Sequence, residues 1–148
     1  MTPPKKKIFL AYEVGGMRAD ILRKSFDSVF PDDAWEKAYG LLPKVGPEAP
    51  KTYKQIQQLL MDSCGIFDLT GEKRSINNGL NLNVLFELGL ALGLDIPTFA
   101  ISYQPVITYK DIQDRVSDLD GCGVYGYDSE ERLMGLLESA KQYFSAPK

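Results

Sequence analysis

Gly65-Ile66-Phe67-Asp68-Leu69, the polar segment Thr70 to Asn81, the apolar stretch Val84 to Leu94, and Thr98-Phe99-Ala100-Ile101 beyond Asp95 and Pro97 decide the fold. The first and last are short, continuous apolar runs without the alternation of a half-wet strand, which marks strands buried on both faces. The stretch between them has the length of a helix and is apolar almost all round, as in a helix packed inside a domain. Asp95 and Pro97 end it, because the residue before a proline is pushed out of the helical region. The unit is strand, loop, helix, strand.

The same alternation extends in both directions. Upstream, Thr52 caps a predicted helix to about Met61 with Ile56, Leu59 and Leu60 inside. Ile8-Phe9-Leu10-Ala11-Tyr12 is another continuous apolar run, followed by the Gly15-Gly16 turn. From Met17 to Phe30, Ile21, Leu22, Phe26, Val29 and Phe30 recur at helical spacing until Pro31 stops the helix. A second strand is expected near Tyr39 to Leu42, and Trp35 is expected in the core. Downstream, a helix from Tyr109 to Leu119, a strand from Val124 to Tyr127 and a helix from Ser129 to Phe144 complete the series. Strands alternating with helices predict one α/β domain over residues 1–148, with a parallel sheet of four or five strands and helices on both faces. Such sheets bind ligands beyond the carboxyl ends of their strands, so Tyr12 to Arg18, Asp68 to Asn83 and Ser102 to Thr108 are the segments to inspect.

Composition narrows the chemistry. With 44% apolar and 25% charged residues the chain reads as globular, and no apolar run reaches the roughly 18 residues of a membrane span. Met1 to Lys7 is basic without a following signal-peptide core, so a cytoplasmic location and no membrane partner are expected. Cys64 and Cys122 are expected to be free thiols in that compartment. The chain has no histidine, the commonest base and metal ligand, and two separated cysteines do not build a zinc site. No metal is expected, and catalysis must rest on carboxylates, tyrosines or backbone groups. A net charge of −3, with Lys5 to Lys7 as the only basic run, argues against a nucleic-acid polymer as partner.

The functional signal lies in the segment that decides the fold. Asp68 ends a strand and Glu87 sits early in the following helix. Asn83 is the expected N-cap, and Glu87, four residues on, lies along the same side, so the two are expected to face one pocket. The positive end of the helix dipole favours an ionised Glu87, an anion at neutral pH unless burial outweighs it. Opposite a ribose C1′, such an anion serves as nucleophile or as counter-charge to an oxocarbenium-like transition state. At about 3.5 Å and an effective ε of about 20 the attraction is roughly 5 kcal/mol before desolvation. Dipole compensation alone accounts for many such acids, but a single acid on an otherwise apolar helix requires a pocket or a paired charge. Gly89 and Gly93 cost that helix stability and permit close approach of another backbone. Arg18, Lys73 and Arg74 have the geometry for phosphate but occupy loop and surface positions where charges are commonly just solvated. No Walker or dinucleotide fingerprint accompanies Gly15-Gly16 or Gly71.

Phe67-Asp68-Leu69-Thr70, followed by Asn81-Leu82-Asn83-Val84-Leu85-Phe86-Glu87-Leu88-Gly89-Leu90-Ala91 and Ile96-Pro97, resembles the superfamily of nucleoside 2-deoxyribosyltransferases and TIR-like nucleotide-binding proteins. Lys7-Ile8-Phe9-Leu10-Ala11 is similar to the first strand of the deoxyribosyltransferase branch. The matching segments cover about a third of the chain. The resemblance implies a flavodoxin-like fold in which Glu87 acts on the N-glycosidic bond of a nucleoside or of NAD, the latter as substrate and not as cofactor. It implies Asp68, Asn81 and Asn83 as sugar-orienting residues and Tyr12 as a pocket-lining aromatic. It also implies stress or antiphage roles, and a homo-oligomer whose neighbouring subunit completes the pocket. Asn81 departs from the pattern, standing where those transferases commonly have aspartate, and an amide is neither acid nor base at neutral pH. Glycohydrolase, base exchange, a non-catalytic nucleotide sensor and an assembly domain all remain open at this level.

Overall fold

The computed structural model describes residues 4–39, 49–72, 77–115 and 123–146. Eleven short elements follow in strict alternation but for one 3-10 turn: β1 (Lys6–Ala11), α1 (Ala19–Val29), β2 (Trp35–Tyr39), α2 (Ala49–Leu60), β3 (Cys64–Asp68), the turn Asn77–Gly79, α3 (Leu82–Gly93), β4 (Thr98–Tyr103), α4 (Tyr109–Arg115), β5 (Val124–Tyr127) and α5 (Glu130–Ser145). The strands form one five-stranded sheet in the order β2-β1-β3-β4-β5, and each neighbouring pair runs parallel. The parallel sheet is the one the alternation predicts, and its strand order is the flavodoxin-like three-layer arrangement that the resemblance implies.

The continuous apolar runs are explained by the two cores they serve. Along β1, Ile8 and Leu10 enter one core with Leu22 and Phe26 of α1 and Leu133 and Leu137 of α5. Phe9 and Ala11, pointing the other way, enter a second core with Leu60 of α2, Val84, Leu88 and Ala91 of α3, and Ile112 of α4. The inner positions of these strands, Ile8 to Ala11 of β1 and Ile66 and Phe67 of β3 among them, are therefore apolar, because neither face of the sheet meets water there. Gly65, the second residue of β3, lies beneath the Phe67 ring, where a Cβ would lie 2.6 Å from a ring carbon.

Element ends differ from expectation where local chemistry intervenes. The second strand lies at Trp35–Tyr39 and not at 39–42, and positions 40–42 fall outside the described residues. Trp35, 4% exposed, packs edge-on against Phe30 at 5.0 Å and anchors this edge strand. The helix expected to reach Leu119 is described to Arg115. Asp95 takes a left-handed φ of 57° just after α3, a conformation short polar side chains tolerate, and so turns the chain into β4. Among the described residues no helix is long and apolar enough to cross a membrane.

Candidate functional site

In this strand order the connections reverse direction between β1 and β3, so the carboxyl ends of those strands flank the crevice where open α/β sheets hold ligands. Asp68, the last residue of β3, stands there and is 1% exposed. Its carboxylate is already engaged. Thr70 donates its backbone N–H to Oδ1 at 3.1 Å, and the Tyr127 hydroxyl donates to Oδ2 at 2.6 Å. Arg18 Nη2 lies 3.8 Å from Oδ2, and Arg18 Nε donates to the Tyr127 hydroxyl at 3.4 Å. The guanidinium also covers the Tyr103 ring at 4.6 Å, while Tyr103 donates its backbone N–H to Thr70 Oγ1 at 2.7 Å. Burial raises the Asp68 pKa, opposed by Arg18, Tyr127 and Thr70. Burial, then Asp68, likewise raise that of Tyr127.

This cluster ties the carboxyl ends of β3, β4 and β5 to the start of α1. Arg18 serves it as an ion-pair partner, whereas Lys73 and Arg74 lie outside the described residues. Tyr103 and Tyr127 were not singled out by the sequence reading, although each is the final residue of its strand, at the end of the sheet where side chains meet ligands. Tyr127→Phe is expected to destabilise the protein by about 1.5–3 kcal/mol, the range for a hydrogen bond to a charged group, read as a lowered urea midpoint.

The space around Asp68 is small. Tyr12, Glu13, Met17, Arg18, Asp68 and Glu72 enclose a hollow of about 10 Å³, at most one water. Tyr12 is among the residues that line this hollow, with its hydroxyl accepting from Arg23 Nη1 at 3.2 Å. Glu72 Oε1 accepts from the Met17 N–H at 3.1 Å, and burial together with Glu72 raises the pKa of Glu13. On the other side of Arg18 a cleft of about 140 Å³ is walled by Ile21, Tyr103, Tyr127, Ser129 and Leu133.

Glu87 lines neither hollow. It lies in the second turn of α3 on the helix side that carries Val84, Leu88 and Ala91 into the second core, and is 5% exposed. Its Oε2 is buried without a hydrogen-bond partner among the described residues. Burial pushes its pKa up from the ordinary glutamate value to about 7. The condition attached to an anionic Glu87 applies: desolvation outweighs the helix dipole, and near neutral pH the carboxyl is poised between its two forms.

Two expectations change. The N-cap of α3 is Asn81, not Asn83: Asn81 Oδ1 accepts from the Val84 N–H at 3.1 Å, and its own N–H donates to the Leu69 carbonyl at 2.8 Å. Asn83 sits in the first turn and is exposed, so it does not join buried Glu87 in one pocket. Asp68 and Glu87 also serve opposite faces of the sheet. Asp68 alternates with Phe67 and shares the side of Ile66, the α1/α5 core, whereas Glu87 descends from the α3 side.

A further residue joins Glu87 on that side. Ser102 of β4 is two residues beyond Ala100, which belongs to the α3-side core, and is fully buried with its Oγ unpartnered among the described residues. Ser102 opens the segment Ser102 to Thr108 that its place at the carboxyl end of a buried strand marks for inspection, and nothing else in the run Phe99-Ala100-Ile101-Ser102 points to it. Cys64 is a free, buried thiol with its pKa pushed up to about 12, which makes it unreactive at neutral pH. Cys122 lies outside the described residues. No protein-family model matches this chain, and no curated protein matches it.

Proposed function

We propose that the protein cleaves or transfers at the N-glycosidic bond of a nucleoside or of NAD, with Glu87 as the nucleophile or the counter-charge at ribose C1′. One observation carries this reading: a buried carboxyl with an unpartnered oxygen and a pKa near 7, on an otherwise apolar helix. A buried polar atom left without a partner costs about 1–3 kcal/mol, and natural proteins retain such groups mainly where a ligand, a water or chemistry uses them. Ser102 Oγ, unpartnered on the same side of the sheet, is the second group that a sugar hydroxyl would satisfy. A carboxyl titrating near 7 has the poise required of a group that must be charged for one step and can hold a proton in another. The resemblance of Asn81 to Ala91 to the deoxyribosyltransferase and TIR-like superfamily supports the choice of bond.

A second reading, a nucleotide-binding sensor, rests on a different place. Asp68 is saturated by Thr70, Tyr127 and Arg18, and Asn81 is committed to capping α3, so neither is open to a sugar as they stand. The Arg18, Tyr103 and Tyr127 cleft would then hold a planar ring without turnover. The two are separated by incubating the purified protein with NAD and with a panel of ribo- and deoxyribonucleosides and quantifying released base. Base release that disappears in Glu87→Gln is the expected result. Ligand binding without release, by the unmodified protein, would replace the enzymatic reading with the sensor.

A further inference from the structure

Helix α3 keeps its one charged residue, Glu87, buried and turns an uncharged face to water. At about 100° per residue, Leu82, Phe86, Gly89 and Gly93 fall in a single stripe about 60° wide on the side opposite Ala91. Leu82 is 52% and Phe86 53% exposed, Leu92 beside them is 41% exposed, and both glycines lie on the surface. A Cβ built on Gly89 or Gly93 meets nothing within 4 Å, so no packing within the described residues calls for glycine there. Each glycine nevertheless costs an exposed helix about 1 kcal/mol relative to alanine.

The order of sizes along the stripe is large, large, small, small, at spacings of four, three and four residues. Turned end for end, it complements itself. When a second α3 lies antiparallel across it, centred between Phe86 and Gly89, Phe86 of each copy meets Gly89 of the other and Leu82 meets Gly93. All four large side chains then have a glycine opposite them, and the two helix backbones can come closer than the usual 8–10 Å. We infer that the outer face of α3 is a symmetric self-association surface, and that its occupant is a second copy of this chain. A two-fold interface needs one patch that fits itself, which this spacing supplies. The uncharged face also meets its copy without repulsion despite a net charge of −3.

The length of α3 limits the contact. Twelve residues make α3 about 18 Å long. A specific interface needs roughly 500 Å² per partner or more, so the contact extends past α3 toward the flanking helices, where Met61 just after α2 and Tyr109 of α4 are also exposed. An interface at that lower limit belongs to the weak, reversible class. The inference does not depend on the reaction proposed for Glu87.

Sedimentation equilibrium between about 1 and 100 µM is expected to show a monomer–dimer equilibrium. Gly89→Lys should raise Kd at least about 100-fold while circular dichroism stays unchanged, with Leu82→Lys as an independent variant should the first fail to fold. Orientation is read by cross-linking under mild oxidation, with the unmodified chain as blank for Cys64 and Cys122. A mixture of Leu82→Cys and Gly93→Cys chains should join, whereas Leu82→Cys alone should not, since its two copies would lie about 16 Å apart along the helix. A monomer throughout, a dimer indifferent to both lysine variants, or self-joining of Leu82→Cys would overturn the proposal.

Discussion

Glu87→Gln is expected to slow base release about 10³-fold, mainly through kcat. Glutamine preserves the shape of the side chain and removes only the charge. If the carboxylate stands about 3.5 Å from C1′ at an effective ε of about 20, the lost attraction is roughly 5 kcal/mol before desolvation, and a factor of 10³ corresponds to about 4 kcal/mol. The charge at C1′ develops in the transition state, so KM should change little. In the proposed reaction the acting form is the anion, so the wild-type rate should climb with pH and level off above about 7. Quenched-flow or endpoint quantification of released base across pH 5–9 provides the measurement. Equal rates in the two proteins would remove Glu87 from the chemistry.

The same substitution is expected to stabilise the fold at alkaline pH. The folded pKa of Glu87 lies above its unfolded value, so the native state holds a proton that the unfolded chain releases. The associated stability is fully present below about 4.5, declines as pH rises, and is lost once pH passes about 7. A displacement from 4.5 to about 7 corresponds to about 3 kcal/mol for this 5% exposed side chain. Glutamine carries no charge to desolvate. Its urea midpoint should therefore exceed wild type at pH 8.5 by an amount approaching about 3 kcal/mol, with most of the gap gone at pH 5. Stability rising as activity falls is the signature of a group retained for function.

The parallel sheet was legible because two buried faces demand continuous apolar strands, and Ile8 to Ala11, Ile66 to Leu69 and Thr98 to Ile101 supply them. That same feature hid the site's geometry. In a strand apolar on both sides, nothing in the pattern tells which face a terminal residue takes, so Asp68 and Glu87 read as neighbours when the sheet separates them. The edge strand was placed too late because Trp35-Glu36-Lys37-Ala38-Tyr39 carries charge that a one-sided edge can accept. Lys37 is held at 3.0 Å by both Asp27 and Asp32, partners distant enough in sequence to leave no local signal. The cap moved from Asn83 to Asn81 because both are competent residues, and only the bond from Asn81 to the Leu69 carbonyl fixes where the helix begins. For Glu87 the sequence leaves the balance between dipole and burial open and burial decides it: the dipole effect of about 0.3–1 kcal/mol belongs to surface sites, and burial of the carboxyl exceeds it.

The proposed reaction requires a Glu87 carboxyl that is buried, uncompensated and available to a ligand. Its titration can be followed directly by ¹³C NMR of glutamate labelled at the side-chain carboxyl, with Glu87→Gln assigning the resonance. A midpoint near 7 that shifts when NAD or a nucleoside is added is the predicted result. A midpoint near 4.5, unmoved by either ligand, would contradict it.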